Sequence, residues 1–254
     1  MTHTGRVALI TGAARRIGAA IARDLASRGW RVAVHHHHSA ADAQAVVGAI
    51  EADGGYAQAF GADLQSEGAT AALVGRVGDA LGPVEALINN ASVFERDEAL
   101  SVTRDSWERH MQVNLRAPFL LTQAFARQVP ETGGSVINLL DQRIWNLTPH
   151  FTSYTVSKAA LWTLTQTLAM ALAPKVRVNA IGPGPTLPSV RQSEEQFVRQ
   201  WSAVPLERPT SPLEIADVVR FLLDAPGVTG QMIAVDGGQH LGWTAAKGRE
   251  AADE

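Results

Sequence analysis

The chain of 254 residues contains no cysteine, which excludes disulfide staples and thiol nucleophiles and fits a reducing compartment. It carries little net charge: the formal value is -3 and the sequence pI is near 6.2. So balanced a surface gives no electrostatic reason to expect nucleic acid or an anionic membrane as partner. No apolar run approaches the roughly 18 residues needed to span a bilayer. Met1 leads directly into a strand pattern, Arg6-Val-Ala-Leu-Ile-Thr11, without the apolar core and cleavage site of a secretory leader, so a soluble cytoplasmic protein is expected. Internal repeats, low-complexity tracts and dividing linkers are also missing. With 46% hydrophobic residues at this length, one sizeable core in a single domain is the expectation.

What is present is an alternation of short β-rich apolar runs with longer helical stretches, the pattern of a parallel sheet covered on both faces. The spacing predicts strands at Val7–Ile10, Arg31–His36, Tyr56–Ala62, Ala86–Asn89, Ser135–Leu140, Val176–Ile181 and Met232–Val235. Helices are predicted over Ile17–Arg28, Ala40–Ala52, Ser66–Leu81, Arg104–Val129, Ser153–Leu172 and Pro212–Leu223. Gly29 stands where a helix end needs positive φ, and Ser211-Pro212 reads as an N-cap followed by proline at the first helical position. The proline-studded stretch from Gly182 to Pro209, with a short helical piece near Glu194–Trp201, breaks the rhythm. Beyond a strand's C-terminal end, such an insertion is expected to be a substrate lid, at about residues 183–210. The reading is an α/β, Rossmann-type, doubly wound sheet of seven parallel strands in one domain, residues 1–243, with a small charged tail at 244–254.

Three groups of residues carry chemistry. The first strand passes through Thr11-Gly12-Ala-Ala-Arg15-Arg16-Ile17-Gly18 into a helix, so backbone N–H groups at the helix start face a bound pyrophosphate. An acid that would bind the ribose diol of NAD is missing at the end of the second strand. His35-His36-His37-His38-Ser39 stands there instead, and Arg15 and Arg16 sit in the loop, which favours the 2′-phosphate of NADP(H). Adjacent histidines on a strand point to opposite faces, so no metal site is expected. The third group is Asp141, Tyr154 and Lys158. Tyr154 and Lys158 lie one helical turn apart on one face, where the ammonium can hold down a phenol pKa that is about 10 when unperturbed. A phenol tuned this way can donate a proton near neutral pH. Asp141 is either a strand-end cap or a catalytic acid.

Thr11–Gly18, Asn89-Asn90-Ala91, Asn114, Tyr154-Thr-Val-Ser-Lys158 and Val235-Asp-Gly-Gly238 together resemble the short-chain dehydrogenase/reductase family over essentially the whole chain. The resemblance implies Tyr154 as general acid, Lys158 on the nicotinamide ribose and Asn114 holding a water in a proton relay. It further implies adenine contacts at Asp63 and Leu64, a cofactor-supporting strand end at Asn90 and Ala91, and a nicotinamide border at Pro183, Gly184 and Thr186. Long helices commonly pair across subunits in this family, so a homotetramer is implied.

Two departures stand out: Arg16 replaces a usual glycine, and Asp141 replaces a usual serine. Both resemble the pteridine reductase branch, as do His36-His37-His38-Ser39-Ala-Ala and Asn90-Ala-Ser92-Val-Phe94. That likeness implies Arg16 and Ser92 on cofactor phosphate and pterin, Phe94 stacked on the pterin ring, Phe151 in the pocket wall, and His37, His38 and Ser39 around the 2′-phosphate. A carboxylate would oppose alkoxide charge on a ketone, whereas a pterin offers N–H donors to it and needs a proton on nitrogen. Three functions follow: an NADPH-dependent pteridine or dihydrofolate-type reductase, a carbonyl reductase acting on a 3-oxoacyl thioester or small ketone, or a non-catalytic NADP(H)-binding protein. Phe94 is open to a plain reading as core packing.

Overall fold

The computed structural model describes residues 5–189 and 191–242. Seven strands form one sheet: β1 (Val7–Ile10), β2 (Arg31–His36), β3 (Tyr56–Gly61), β4 (Val84–Asn89), β5 (Gly134–Leu139), β6 (Val176–Pro183) and β7 (Met232–Val235). Their order is β3-β2-β1-β4-β5-β6-β7, with every pairing parallel. The order reverses between β1 and β4, and in such a sheet the crevice beyond the strand ends at that point is where ligands bind.

Alternation along β1 shows how the sequence builds two layers. Ala8 and Ile10 face one hydrophobic cluster, made with α1 (Arg16–Ser27), α2 (Ala40–Ala52) and α8 (Pro212–Asp224). Val7 and Leu9 face the other, made with α3 (Glu67–Leu81) and the helices after β4 and β5. A strand covered on both faces is apolar throughout, and β1 is fully buried. Gly29 adopts φ 82° after α1, as its position required. Ser211 caps α8 in a complete capping box, with Pro212 at the first position.

The predicted helix over Arg104–Val129 is interrupted. It comprises α4 (Arg104–Met111), a π-helical turn over Gln112–Arg116, and α5 (Ala117–Gln128). Pro118 has no N–H to give the Asn114 carbonyl, so the regular i→i−4 ladder cannot run through this point. The extra residue is accommodated as a π-turn, a feature frequent at functional sites. Two further helices follow: α6 (Thr152–Ala171) and α7 (Glu194–Ser202), the latter inside the segment predicted as a lid. The predicted tail at 244–254 lies outside the described residues. Among the described residues no helix is long and apolar enough to cross a membrane.

Gly18 lets α1 approach the sheet. A Cβ there would lie 2.5 Å from the Gly12 carbonyl oxygen and 2.6 Å from Asn90 Nδ2. Gly18→Ala would gain about 1 kcal/mol in helix propensity but incur an overpacking cost of about 1–3 kcal/mol against rigid backbone. The clash is expected to win, so thermal denaturation of Gly18→Ala should show a lower melting temperature than the parent.

Candidate active site

The loop between β1 and α1 is held by a small polar frame. Thr11 Oγ1 accepts from the Asn90 and Ala91 amides, both at 3.0 Å. Asn90 Nδ2 donates back to the Thr11 and Gly12 carbonyls at 2.8 and 3.1 Å. His35, the first of the four histidines, completes the frame: its Nδ1 accepts from Gly12 N at 3.0 Å and its Nε2 donates to the Ala62 carbonyl at 3.1 Å. Both nitrogens are committed, so the neutral tautomer is fixed. Burial pushes the His35 pKa down to about 4. Its burial near the C-terminal end of β2 gives this histidine a supporting role, apart from the other three.

Arg16, where a glycine is usual, adopts φ 53°, a conformation that ordinarily favours glycine. Its guanidinium donates to the Pro188 and Leu187 carbonyls at 2.9 and 3.2 Å, tying the phosphate loop to the segment after β6. Arg15 is paired with Asp42 on α2. The N-terminus of α1 has no side-chain cap and no acidic residue in its first turn. It therefore presents unsatisfied N–H groups and positive charge to the cleft.

A cleft of about 490 Å³ opens at the strand ends. It brings together Gly12, Arg15, Arg16, Ile17, Gly18, Asn90, Ala91, Ser92, Phe94, Asp141, Tyr154, Lys158, Pro183, Gly184 and Thr186. His36, His37, His38, Ser39, Asp63 and Leu64 do not line it and group apart from it. The His37 and His38 rings lie with centroids 3.4 Å apart and planes tilted by 33°, and His37 Nε2 lies 3.7 Å from Asp63. Gln142 and Arg143 also line the cleft, a contribution the sequence reading missed because nothing in the local pattern marks them.

At the inner wall, Tyr154 Oη donates to Asp141 Oδ2 at 3.0 Å. The other carboxylate oxygen, Oδ1, accepts from the Arg143 amide at 2.7 Å and caps a short 3-10 turn. Asp141 thus serves as both the strand-end cap and the partner of the phenol. Lys158 is 2% exposed; its Nζ donates to the Leu139 carbonyl at 2.7 Å and lies 5.8 Å from the Tyr154 ring centroid. Burial lowers the Lys158 pKa to about 8, against the opposing pull of the Asp141 charge.

Phe94 is half-buried, stacked on Phe151 at 4.5 Å between centroids and 6° between planes, with its edge against Tyr154 at 4.7 Å. Phe151 itself lies behind Phe94 and does not line the cleft. The Asn114 side chain is fully used: Oδ1 accepts from Val93 N and Ser92 Oγ, while Nδ2 donates to the Val93 carbonyl and Ser157 Oγ. Its amide clamps the loop that carries Ser92 and Phe94.

The His35 pKa carries a signed consequence. A histidine that titrates near 6.5 when unfolded and about 4 when folded leaves stability intact above pH 6.5 and removes it as pH falls toward 4. Between pH 7 and 5 its share of the loss is about 2 kcal/mol. Urea midpoints at the two pH values should therefore differ more for the parent chain than for His35→Gln, whose side chain carries no titratable group.

The family model described as Enoyl-(Acyl carrier protein) reductase matches residues 12–240. A 3-oxoacyl-[acyl-carrier-protein] reductase of Synechocystis is 33% identical, the match covering 92% of this chain and 97% of that protein. Among solved structures, FolM alternative dihydrofolate reductase 1 from Brucella canis, complexed with NADP, is 45% identical, with 98% of each chain covered and a TM-score of 0.92. Its counterpart from Brucella suis, also in complex with NADP, is 47% identical, with 96% of this chain and 98% of that chain covered and a TM-score of 0.91. The chain belongs to the short-chain dehydrogenase/reductase family and is an oxidoreductase of that family.

Proposed function

We propose that this oxidoreductase uses NADPH to reduce a pteridine of the dihydropterin or dihydrofolate type. The observation that carries the reading is the hydrogen bond from Tyr154 Oη to Asp141 Oδ2. A carboxylate within reach of the catalytic phenol opposes the negative charge that develops on a ketone oxygen. Toward a planar nitrogen heterocycle the same group is an asset, because it accepts ring or exocyclic N–H donors and shares a proton with the phenol. Phe94 stacks on Phe151 and has the Arg191 guanidinium over its ring at 5.5 Å; a heterocycle that takes the place of that guanidinium gains about 1 kcal/mol from offset stacking. The NADP-bound Brucella enzymes, named as alternative dihydrofolate reductases, support the same reading.

The residues present fit the dinucleotide. The uncapped start of α1, with Arg15 and Arg16, suits a pyrophosphate, with Gly12, Ile17 and Gly18 shaping the turn. His36, His37, His38 and Ser39 suit the 2′-phosphate, Asp63 and Leu64 the adenine. Asn90, Ala91, Pro183, Gly184 and Thr186 border the nicotinamide, and Lys158 takes its ribose. When bound, NADPH supplies the hydride. One proton accompanies that hydride: it leaves the Tyr154 hydroxyl and reaches the ring nitrogen by way of Asp141, which also holds the heterocycle through its N–H groups. Ser92 and Phe94 shape the substrate wall, and Phe151 backs Phe94 from outside the cleft. The Asn114 carbonyl, freed by Pro118, holds a water that restores the phenol's proton. Residues 183–210 act as the lid, and the enzyme works as a cytoplasmic homotetramer.

A carbonyl reductase is the second reading, favoured by the resemblance to the Synechocystis 3-oxoacyl reductase. Loss of NADPH absorbance, followed in parallel with dihydrobiopterin, dihydrofolate and an acetoacetyl thioester, separates the two. Turnover of the pterins is expected, and thioester turnover with inert pterins would overturn the assignment. In Asp141→Ser, pterin turnover should fall on the order of 100-fold while NADPH affinity stays unchanged. A collapse of dinucleotide binding in that variant would make Asp141 a structural residue only.

A further inference from the structure

Behind the cleft lies a buried polar cluster that none of the steps above uses. Asp97, on the connection between β4 and α4, is 4% exposed, and Ser153 and His110 are fully buried. Helix α6, which carries Tyr154 and Lys158, has no cap of its own: its N-cap residue is Phe151, without a side-chain hydrogen bond. Asp97 provides the cap from 56 residues away, with Oδ1 accepting from Ser153 N at 3.0 Å and Oδ2 from the Ser153 hydroxyl. Its backbone carbonyl accepts from Thr152 N at 3.3 Å. Oδ2 also accepts from Ser106 Oγ on α4 at 2.8 Å, so one carboxylate ties two helices together.

His110 completes the arrangement. Its Nε2 accepts from Glu95 N at 3.2 Å, which places the proton of the neutral ring on Nδ1, shared between Ser153 Oγ at 2.7 Å and the Ser106 carbonyl at 2.9 Å. The Ser153 hydroxyl donates to Asp97 and is held against the His110 ring. Burial alone would raise the Asp97 pKa; hydrogen bonds from Ser153 and Ser106 outweigh it and keep the carboxylate ionised.

Phe151 sits between these fastenings in the left-handed region, at φ 60° and ψ 50°. A phenylalanine there costs about 1–3 kcal/mol unless its surroundings enforce it. The enforcing contacts flank it: Asp97 grips Thr152 and Ser153 on one side, and Glu98 pairs with His150 on the other. The bend at Phe151 sets both the ring that Phe94 stacks on and the direction in which α6 presents Tyr154.

We infer that Asp97 is a positioning residue, which holds Phe151 in its left-handed bend and thereby aims Tyr154 at the cleft. This rests on Tyr154 being the proton donor, yet its test needs neither substrate nor cofactor. The chain has two tyrosines, Tyr56 and Tyr154, so labelling with 3-fluorotyrosine gives two fluorine NMR signals.

In folded Asp97→Asn the Tyr154 signal is expected to move while the Tyr56 signal stays in place. Glycine adopts the left-handed bend without strain. In a Phe151→Gly background, adding Asp97→Asn should therefore move the Tyr154 signal much less. A through-space effect of the lost charge would be the same in both backgrounds, and that outcome overturns the inference. So does an unmoved Tyr154 signal in the single variant. If Asp97→Asn does not fold, Ser153→Ala keeps the carboxylate and removes the hydroxyl link. It should then shift Tyr154 alone, and a stationary signal there rejects the role. With dihydrobiopterin and NADPH, kcat of Asp97→Asn should fall on the order of 10- to 100-fold, the scale set by small misplacement of a catalytic group.

Discussion

The hydrogen bond between the Tyr154 phenol and the Asp141 carboxylate organises the inner end of the cleft, and both partners are fixed from the same strand end. Asp141 leaves β5 and is pinned through Oδ1 to the Arg143 amide, so only Oδ2 is aimed at the phenol. Lys158 is anchored to the Leu139 carbonyl, two residues earlier on that strand. Helix α6 spaces Tyr154 and Lys158 one turn apart, and the β5 end holds the acid and the anchor for the base. A shift of either element would separate the carboxylate, the phenol and the ammonium together.

Polar groups are segregated in a way that suits an elongated ligand with distinct ends. The carboxylate lies at the inner wall of the cleft and the arginines of the phosphate loop line it, while His37 and His38 stand outside it, past the C-terminal end of β2. A carboxylate among the phosphate-facing groups would repel the dinucleotide; the nearest acid on α2, Asp42, is neutralised by Arg15. Arg16 adds a mechanical link, because its contacts with the Leu187 and Pro188 carbonyls join the phosphate loop to the proposed lid.

Much of this was legible before any coordinates. Strand and helix identities followed from hydrophobic periodicity, since β1 and β2 are buried on both faces and the helices carry one apolar stripe. The cleft residues from Gly12 to Gly18, with Asn90, Asp141, Tyr154 and Lys158, were marked by motif and do meet. Long-range geometry was not legible. Nothing in the sequence says that the Asn114 side chain is consumed in clamping Val93, and the π-turn emerges only when Pro118 is placed four residues after that carbonyl. His35 was indistinguishable from its three neighbours until burial separated it. Asp97 and Ser153 are 56 residues apart, and no local pattern joins an acid in a loop to the uncapped start of a distant helix.

A crystal structure of the chain with NADPH and dihydrobiopterin bound together tests the pairing of Asp141 with Tyr154. The heterocycle should stack on Phe94, with a ring or exocyclic nitrogen within hydrogen-bond distance of Asp141 Oδ2 and of the Tyr154 hydroxyl. A bound pterin whose nitrogens all point away from Asp141, with the carboxylate still engaged only by the Arg143 amide and Tyr154, would contradict it.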